Sequence, residues 1–172
     1  MTAPANLHFS LVDDRDGLVD ESAAHGALSL FFFGFTNCRM VCPRALGKLS
    51  ASLDELGADD NDIRAFYVTV DPDRDSPEVL RAFLEQDYPR FSGLTGDRGR
   101  LRDFQQSLHV FSRRRDDPQE PDGYAMPHSA FTYVFDPKGD YLAHFGDGMP
   151  APEVTARLRQ LISLSASQSG GS

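Results

Sequence analysis

Cysteine is scarce in this sequence: 172 residues hold two, Cys38 and Cys42. Two thiols so close together cannot staple a domain by closing a long loop, so stability must come from the core and the pair is left for chemistry. Basic residues are also short. Seventeen Lys and Arg face 26 Asp and Glu, a formal net charge of −9, which argues against nucleic acid or an anionic membrane surface as the main partner. No run of about 18 apolar residues, the length that would cross a bilayer, occurs in the sequence. The start, Met1-Thr2-Ala3-Pro4-Ala5-Asn6, lacks the basic and apolar regions of a signal peptide. As read, the chain is soluble and carries no address; whether an anchor or signal belongs before it stays open. No internal repeat or interdomain linker is visible.

What is present is an ordinary globular composition, 40 % hydrophobic and 25 % charged, and at roughly 150 residues per domain the length calls for one domain. That domain is expected over residues 1–164. Residues 165–172, Ser-Ala-Ser-Gln-Ser-Gly-Gly-Ser, are small and polar and read as a flexible tail.

Periodicity places the elements. Leu7 to Val12, the turn Asp13-Asp14-Arg15-Asp16-Gly17, and Leu18-Val19 read as a β-hairpin. Leu28 to Phe35 is almost unbroken apolar sequence, as expected of a strand buried on both faces. Leu46, Leu49, Leu53 and Leu56 recur at helical spacing, with Pro43 tolerated in the first turn and Gly57 as the stop. Ile63 to Val70 reads as a second central strand. After the turn Asp71-Pro72-Asp73-Arg74-Asp75, Ser76 is an N-cap, Pro77 a first helical residue and Glu78 a first-turn acid. Leu101, Phe104 and Leu108 mark another helix, and a long polar segment follows between His109 and Pro127. Phe131 to Phe135 and Tyr141 to Phe145 flank the turn Pro137-Lys138-Gly139-Asp140, and a last amphipathic helix carries Val154, Leu158, Leu161 and Ile162. Strands joined through helices make right-handed parallel crossovers. The order suits an α/β, thioredoxin-like fold with an extra N-terminal β-hairpin and a long loop before the strand that follows His128.

Cys38 and Cys42 fall at the junction of the first central strand and its helix. Four residues is about one helical turn, so both sulfurs can face one side, and a helix N-terminus favours thiolate over thiol. The pair can close into a disulfide or hold a soft metal with a third ligand from elsewhere.

Four blocks carry a more specific signal: Phe33-Gly34-Phe35-Thr36-Asn37-Cys38-Arg39-Met40-Val41-Cys42-Pro43; Val68-Thr69-Val70-Asp71-Pro72-Asp73-Arg74-Asp75-Ser76-Pro77-Glu78-Val79-Leu80; Leu94-Thr95-Gly96; and His128-Ser129-Ala130 leading into Tyr133-Val134-Phe135-Asp136-Pro137. In this order, from about Leu7 to Leu164, they resemble the Sco/SenC family of copper-binding thioredoxin-fold proteins. The resemblance implies metal ligands Cys38, Cys42 and His128 and copper, Cu(I) or Cu(II), as the metal. It implies work on the dinuclear copper site of cytochrome c oxidase, with that enzyme's copper-site subunit or another copper carrier as partner. It also implies a periplasmic or membrane-anchored, extracytoplasmic location; no nucleic acid is expected, and a monomer is the expected state. Two thiolates and an imidazole suit trigonal Cu(I) and, with added water, Cu(II).

The chain departs from the family pattern where Arg39 and Met40 replace Pro-Asp and where Pro127 replaces the Asp before the histidine. Arg39 should lower the thiol pKa, and Pro127 removes an acceptor for the imidazole. Met126-Pro127 also looks like the cis-proline position of thioredoxins. These changes keep a second reading in play, a thiol-disulfide oxidoreductase with Cys38 as nucleophile and Cys42 as resolver, and a third, a redox or copper sensor. Met40 and Met126 read as packing rather than thioether ligands, and Arg113-Arg114-Arg115 as a solvated loop. Asp71, Asp73 and Asp75 read as turn chemistry rather than a Ca²⁺ loop. His8, His25, His109 and His144 are taken as structural.

Overall fold

Alternate side chains of the central strands divide the core into two layers, and the burial pattern shows why the apolar runs are nearly unbroken. The computed structural model describes residues 7–36, 41–57, 59, 62–110, 115–116, 118–119, 124–125, 131–146 and 148–169, with 41–43, 124–125 and 166–169 described by their backbone. In order the elements are β1 (Ser10–Asp13), β2 (Leu18–Asp20), a 3-10 turn (Glu21–Ala24), β3 (Leu28–Gly34), α1 (Val41–Leu56), β4 (Ile63–Thr69), α2 (Pro77–Asp87) and β5 (Phe91–Thr95). There follow α3 (Arg98–Ser107), β6 (Arg115–Asp116), β7 (Tyr124–Ala125), β8 (Phe131–Phe135), β9 (Tyr141–Gly146) and α4 (Ala151–Ser169).

Among the described residues, seven strands form one sheet in the order β2-β1-β5-β4-β3-β8-β9. β3, β4 and β5 are parallel, while β1 and β8 pair antiparallel to β5 and β3. Leu28, Leu30 and Phe32 of β3 and Ile63, Ala65 and Tyr67 of β4 pack with Leu46, Leu49 and Leu53 of α1, Leu80 and Leu84 of α2, and Val154 and Leu158 of α4. Phe31 and Phe33, with Phe66 and Val68, face the other layer, formed by Leu101 and Phe104 of α3 and by Leu7, Phe9 and Leu11. The period of two thus serves two apolar layers at once, as in sheets covered on both faces.

The expected hairpin, central strands, helices and final hairpin are present. Asp13 shapes the first turn by accepting hydrogen bonds from the backbone N–H groups of Arg15 and Gly17 at 2.9 and 2.8 Å. Gly57 ends α1 at φ +63°, and Ser76 caps α2 by accepting from Val79 N at 3.2 Å. The structure adds what periodicity missed. β5 lies between α2 and α3, where no strand was expected, because Phe91-Ser92-Gly93-Leu94-Thr95 carries a glycine and a serine in place of β-forming apolar residues. The long polar segment contains a two-residue antiparallel ribbon, Arg115 opposite Ala125 and Asp116 opposite Tyr124. The helical backbone of α4 runs on to Ser169.

Candidate metal and redox site

The parallel strands β3, β4 and β5 end on the same side of the sheet, and the turns that follow β3 and β4 are bolted together there. Val70 N donates to Gly34 O at 2.8 Å, which carries the β3–β4 pairing past the last strand residue. Beyond Gly34 the chain passes through buried Phe35 to half-buried Thr36. Thr36 is fixed by Asp75: the carboxylate accepts from Thr36 N at 3.0 Å and from Thr36 Oγ1 at 2.6 Å. A third bond comes from Thr69 Oγ1 at 2.7 Å, and Asp75 is 1 % exposed. Burial pushes the Asp75 carboxyl above the usual carboxylate range, the Thr36 and Thr69 donors pull it back, and the neighbouring Asp71 charge adds to the rise.

The other two aspartates of the turn act differently. Asp71 is buried and pairs with Arg74, itself nearly buried. Asp71 N donates to Thr69 Oγ1 at 2.9 Å. The Arg74 guanidinium lies 5.7 Å from the centroid of the Phe35 ring, so the β4 turn also grips the β3 turn through a cation–π contact. Asp73 reaches outward to Arg98, the first residue of α3. Local turn contacts therefore account for Asp71, as the sequence suggested, whereas Asp73 ties the turn to α3. Asp75 was missed as a link to the cysteine loop, because its partner Thr36 lies 39 positions away and no spacing rule connects them.

Of the residues proposed from sequence, Cys42 lies by its backbone in the first turn of α1, where the helix dipole stabilises negative charge. Cys38, His128, Arg39, Met40, Met126, Pro127, Arg113 and Arg114 lie outside the described residues; Arg115 is exposed in β6. β8 runs beside β3 with Phe32 opposite Thr132, so β8 begins at the end of the sheet where β3 finishes.

The remaining histidines have structural surroundings. His8 meets Glu21 at 3.0 Å, and the carbonyl of His25 accepts from Arg64 at 2.7 Å. His109 takes a left-handed φ of 60° just after α3, and its N–H donates to Gln106 O at 3.1 Å. His144 meets the Tyr141 hydroxyl and packs with Phe131 and Tyr133. In the same aromatic row burial pushes the Tyr133 phenol up to about 12. Among the described residues, no three His, Cys, Asp or Glu side chains gather as a metal-holding group.

A parallel central sheet, helices on both faces and a strand-to-helix junction entering a turn with a cysteine define a thioredoxin-fold protein. A model of the SCO1/SenC family matches residues 2–163. The chain belongs to the SCO1/SenC family. It is 35 % identical over 146 residues to the SCO2-like protein RP587 of Rickettsia prowazekii, covering 85 % of this chain and 71 % of that one. Bradyrhizobium japonicum ScoI, solved with copper bound, superposes with TM-score 0.80 at 29 % identity, covering 92 % of this chain and 99 % of ScoI. BsSco, in which a disulfide switch was identified and which is a member of the Sco family of cytochrome c oxidase assembly proteins, superposes with TM-score 0.71. At 21 % identity, over 95 % of this chain and 98 % of BsSco, that likeness speaks for the fold.

Proposed function

We propose that the protein is a copper metallochaperone that delivers copper to, or prepares the thiols of, the dinuclear copper site of cytochrome c oxidase. Cys38 and Cys42 supply two thiolates and His128 an imidazole. The donor set fits the cargo: soft thiolates with one imidazole suit Cu(I) better than a hard cation. The observation that carries the reading is the β3–β8 pairing. Cys38 follows Gly34 by four residues and His128 precedes Phe131 by three, so in sequence both adjoin the end of the sheet where β3 finishes and β8 begins, which supports their working together. Copper bound to ScoI supports copper as the cargo here. The family supports an oxidase copper-site subunit, or another copper carrier, as partner, and an extracytoplasmic location. No helix of the described residues is long and apolar enough to cross a membrane.

The cysteines also give the site a redox gate. Only the reduced pair offers two thiolates. When it reduces a partner disulfide, the partner S–S bond breaks, a Cys38–Cys42 S–S bond forms, and two electrons and two protons pass to the partner's thiols. The test is stoichiometric. Reduced protein should bind about one copper per chain, and the disulfide form or Cys38→Ser should bind far more weakly. Equal binding by the oxidised and reduced forms would overturn the reading.

A further inference from the structure

The β4–α2 turn holds more polar machinery than a turn needs. Asp71 and Asp73 pair with Arg74 and Arg98, and Ser76 caps the helix. Asp75 instead directs its bonds away from its own turn: two oxygens take the amide and hydroxyl of Thr36 and the hydroxyl of Thr69. Desolvating a carboxylate is unfavourable, and the charge beside this one, Asp71, has the same sign. A hydroxyl or amide at position 75 would bury with a smaller penalty. What the carboxylate gains is a two-pronged grip on Thr36, two residues before Cys38, because only a carboxylate accepts on both oxygens at once.

We propose that Asp75 is a positioning residue that sets the exit of the cysteine loop from β3, and so the separation and orientation available to Cys38 relative to Cys42. The proposal rests on the reading of Cys38 and Cys42 as the working pair. Thr36 is the lever: its amide fixes the backbone at the loop's first residue and its hydroxyl fixes the rotamer. Thr69 anchors the other end of the link in β4, the buried neighbour of β3. Groups that orient ligands without touching the metal change affinity by about 10- to 100-fold.

The experiment compares wild type, Asp75→Asn, Thr36→Val and Thr36→Ser, each as the full chain. Copper affinity of the reduced form is measured by chelator competition, the Cys38–Cys42 thiol-disulfide equilibrium against dithiothreitol, and the copper-thiolate absorption band in parallel. Asp75→Asn should weaken copper binding at least 10-fold, displace the disulfide equilibrium at least threefold and alter the band. Thr36→Val should do the same in smaller measure, and Thr36→Ser should restore wild-type values. Should Asp75→Asn fail to fold, the Thr36 pair is read by the same criteria. Affinity and disulfide equilibrium within twofold of wild type, whatever the melting temperature, would overturn the proposal. A wild type that binds no copper sinks the chaperone reading instead, and the disulfide equilibrium still decides the role of Asp75.

Discussion

Asp75 sits where a carboxylate is hard to bury, and the penalty has a sign that can be measured. Burial raises its pKa in the fold above the ordinary 3.8. The native state then binds the proton more tightly than the unfolded chain. The contribution of Asp75 to stability is full below about pH 3.8 and is lost as pH rises through the raised value. Urea unfolding from pH 3.5 to 7.5 should show wild type losing stability relative to Asp75→Asn as pH rises; a difference that stays flat would contradict the raised value. Arg74 gives a second residue-level expectation. Arg74→Ala leaves the buried Asp71 charge without that partner and removes the contact over Phe35, so chemical denaturation should register a loss of about 3 kcal/mol. At this scale the sequence was partly legible. Cys38, Cys42 and His128 stood out through motif and resemblance, and the Asp-Pro-Asp-Arg-Asp run announced a turn. What could not be read was which of the two buried aspartates, Asp71 or Asp75, reached across to Thr36, since that depends on the pairing of β3 and β4.

At the scale of elements, long runs with a clear period were readable because burial on both faces demands them: Leu28 to Gly34 and Ile63 to Thr69 are the cases. β5 escaped for a specific reason. Gly93 breaks the apolar pattern because α2 packs closely over it. A Cβ built there would lie 3.0 Å from Leu80 Cβ, 3.2 Å from Leu84 Cδ1 and 3.3 Å from Asp14 Cβ. Gly93→Ala should therefore destabilise by about 2 kcal/mol through overpacking. The double variant with Leu84→Ala should lose less than the sum of the two single losses, because that truncation removes the Leu84 Cδ1 atom that would lie 3.2 Å from the new methyl. Strict additivity in denaturant midpoints would argue against that packing. The β6–β7 ribbon was illegible for the opposite reason: Arg115 and Asp116 are exposed, and two-residue strands leave no period to detect.

For the whole molecule, the site proposed for copper adjoins the end of the sheet where β3 finishes and β8 begins. If that end holds copper only when the cysteines are reduced, binding and folding are linked. Copper at 100 times its Kd should add ~2.7 kcal/mol of stability, a rise in Tm of roughly 5–10 °C. The same copper should leave the disulfide form unmoved in a thermal melt. The central claim, that His128 completes a site with Cys38 and Cys42, is tested most directly by chelator-competition titration of reduced wild type beside reduced His128→Ala. The account predicts one copper per chain in wild type and an affinity at least 10-fold weaker in His128→Ala. Equal affinity in the two proteins would contradict it.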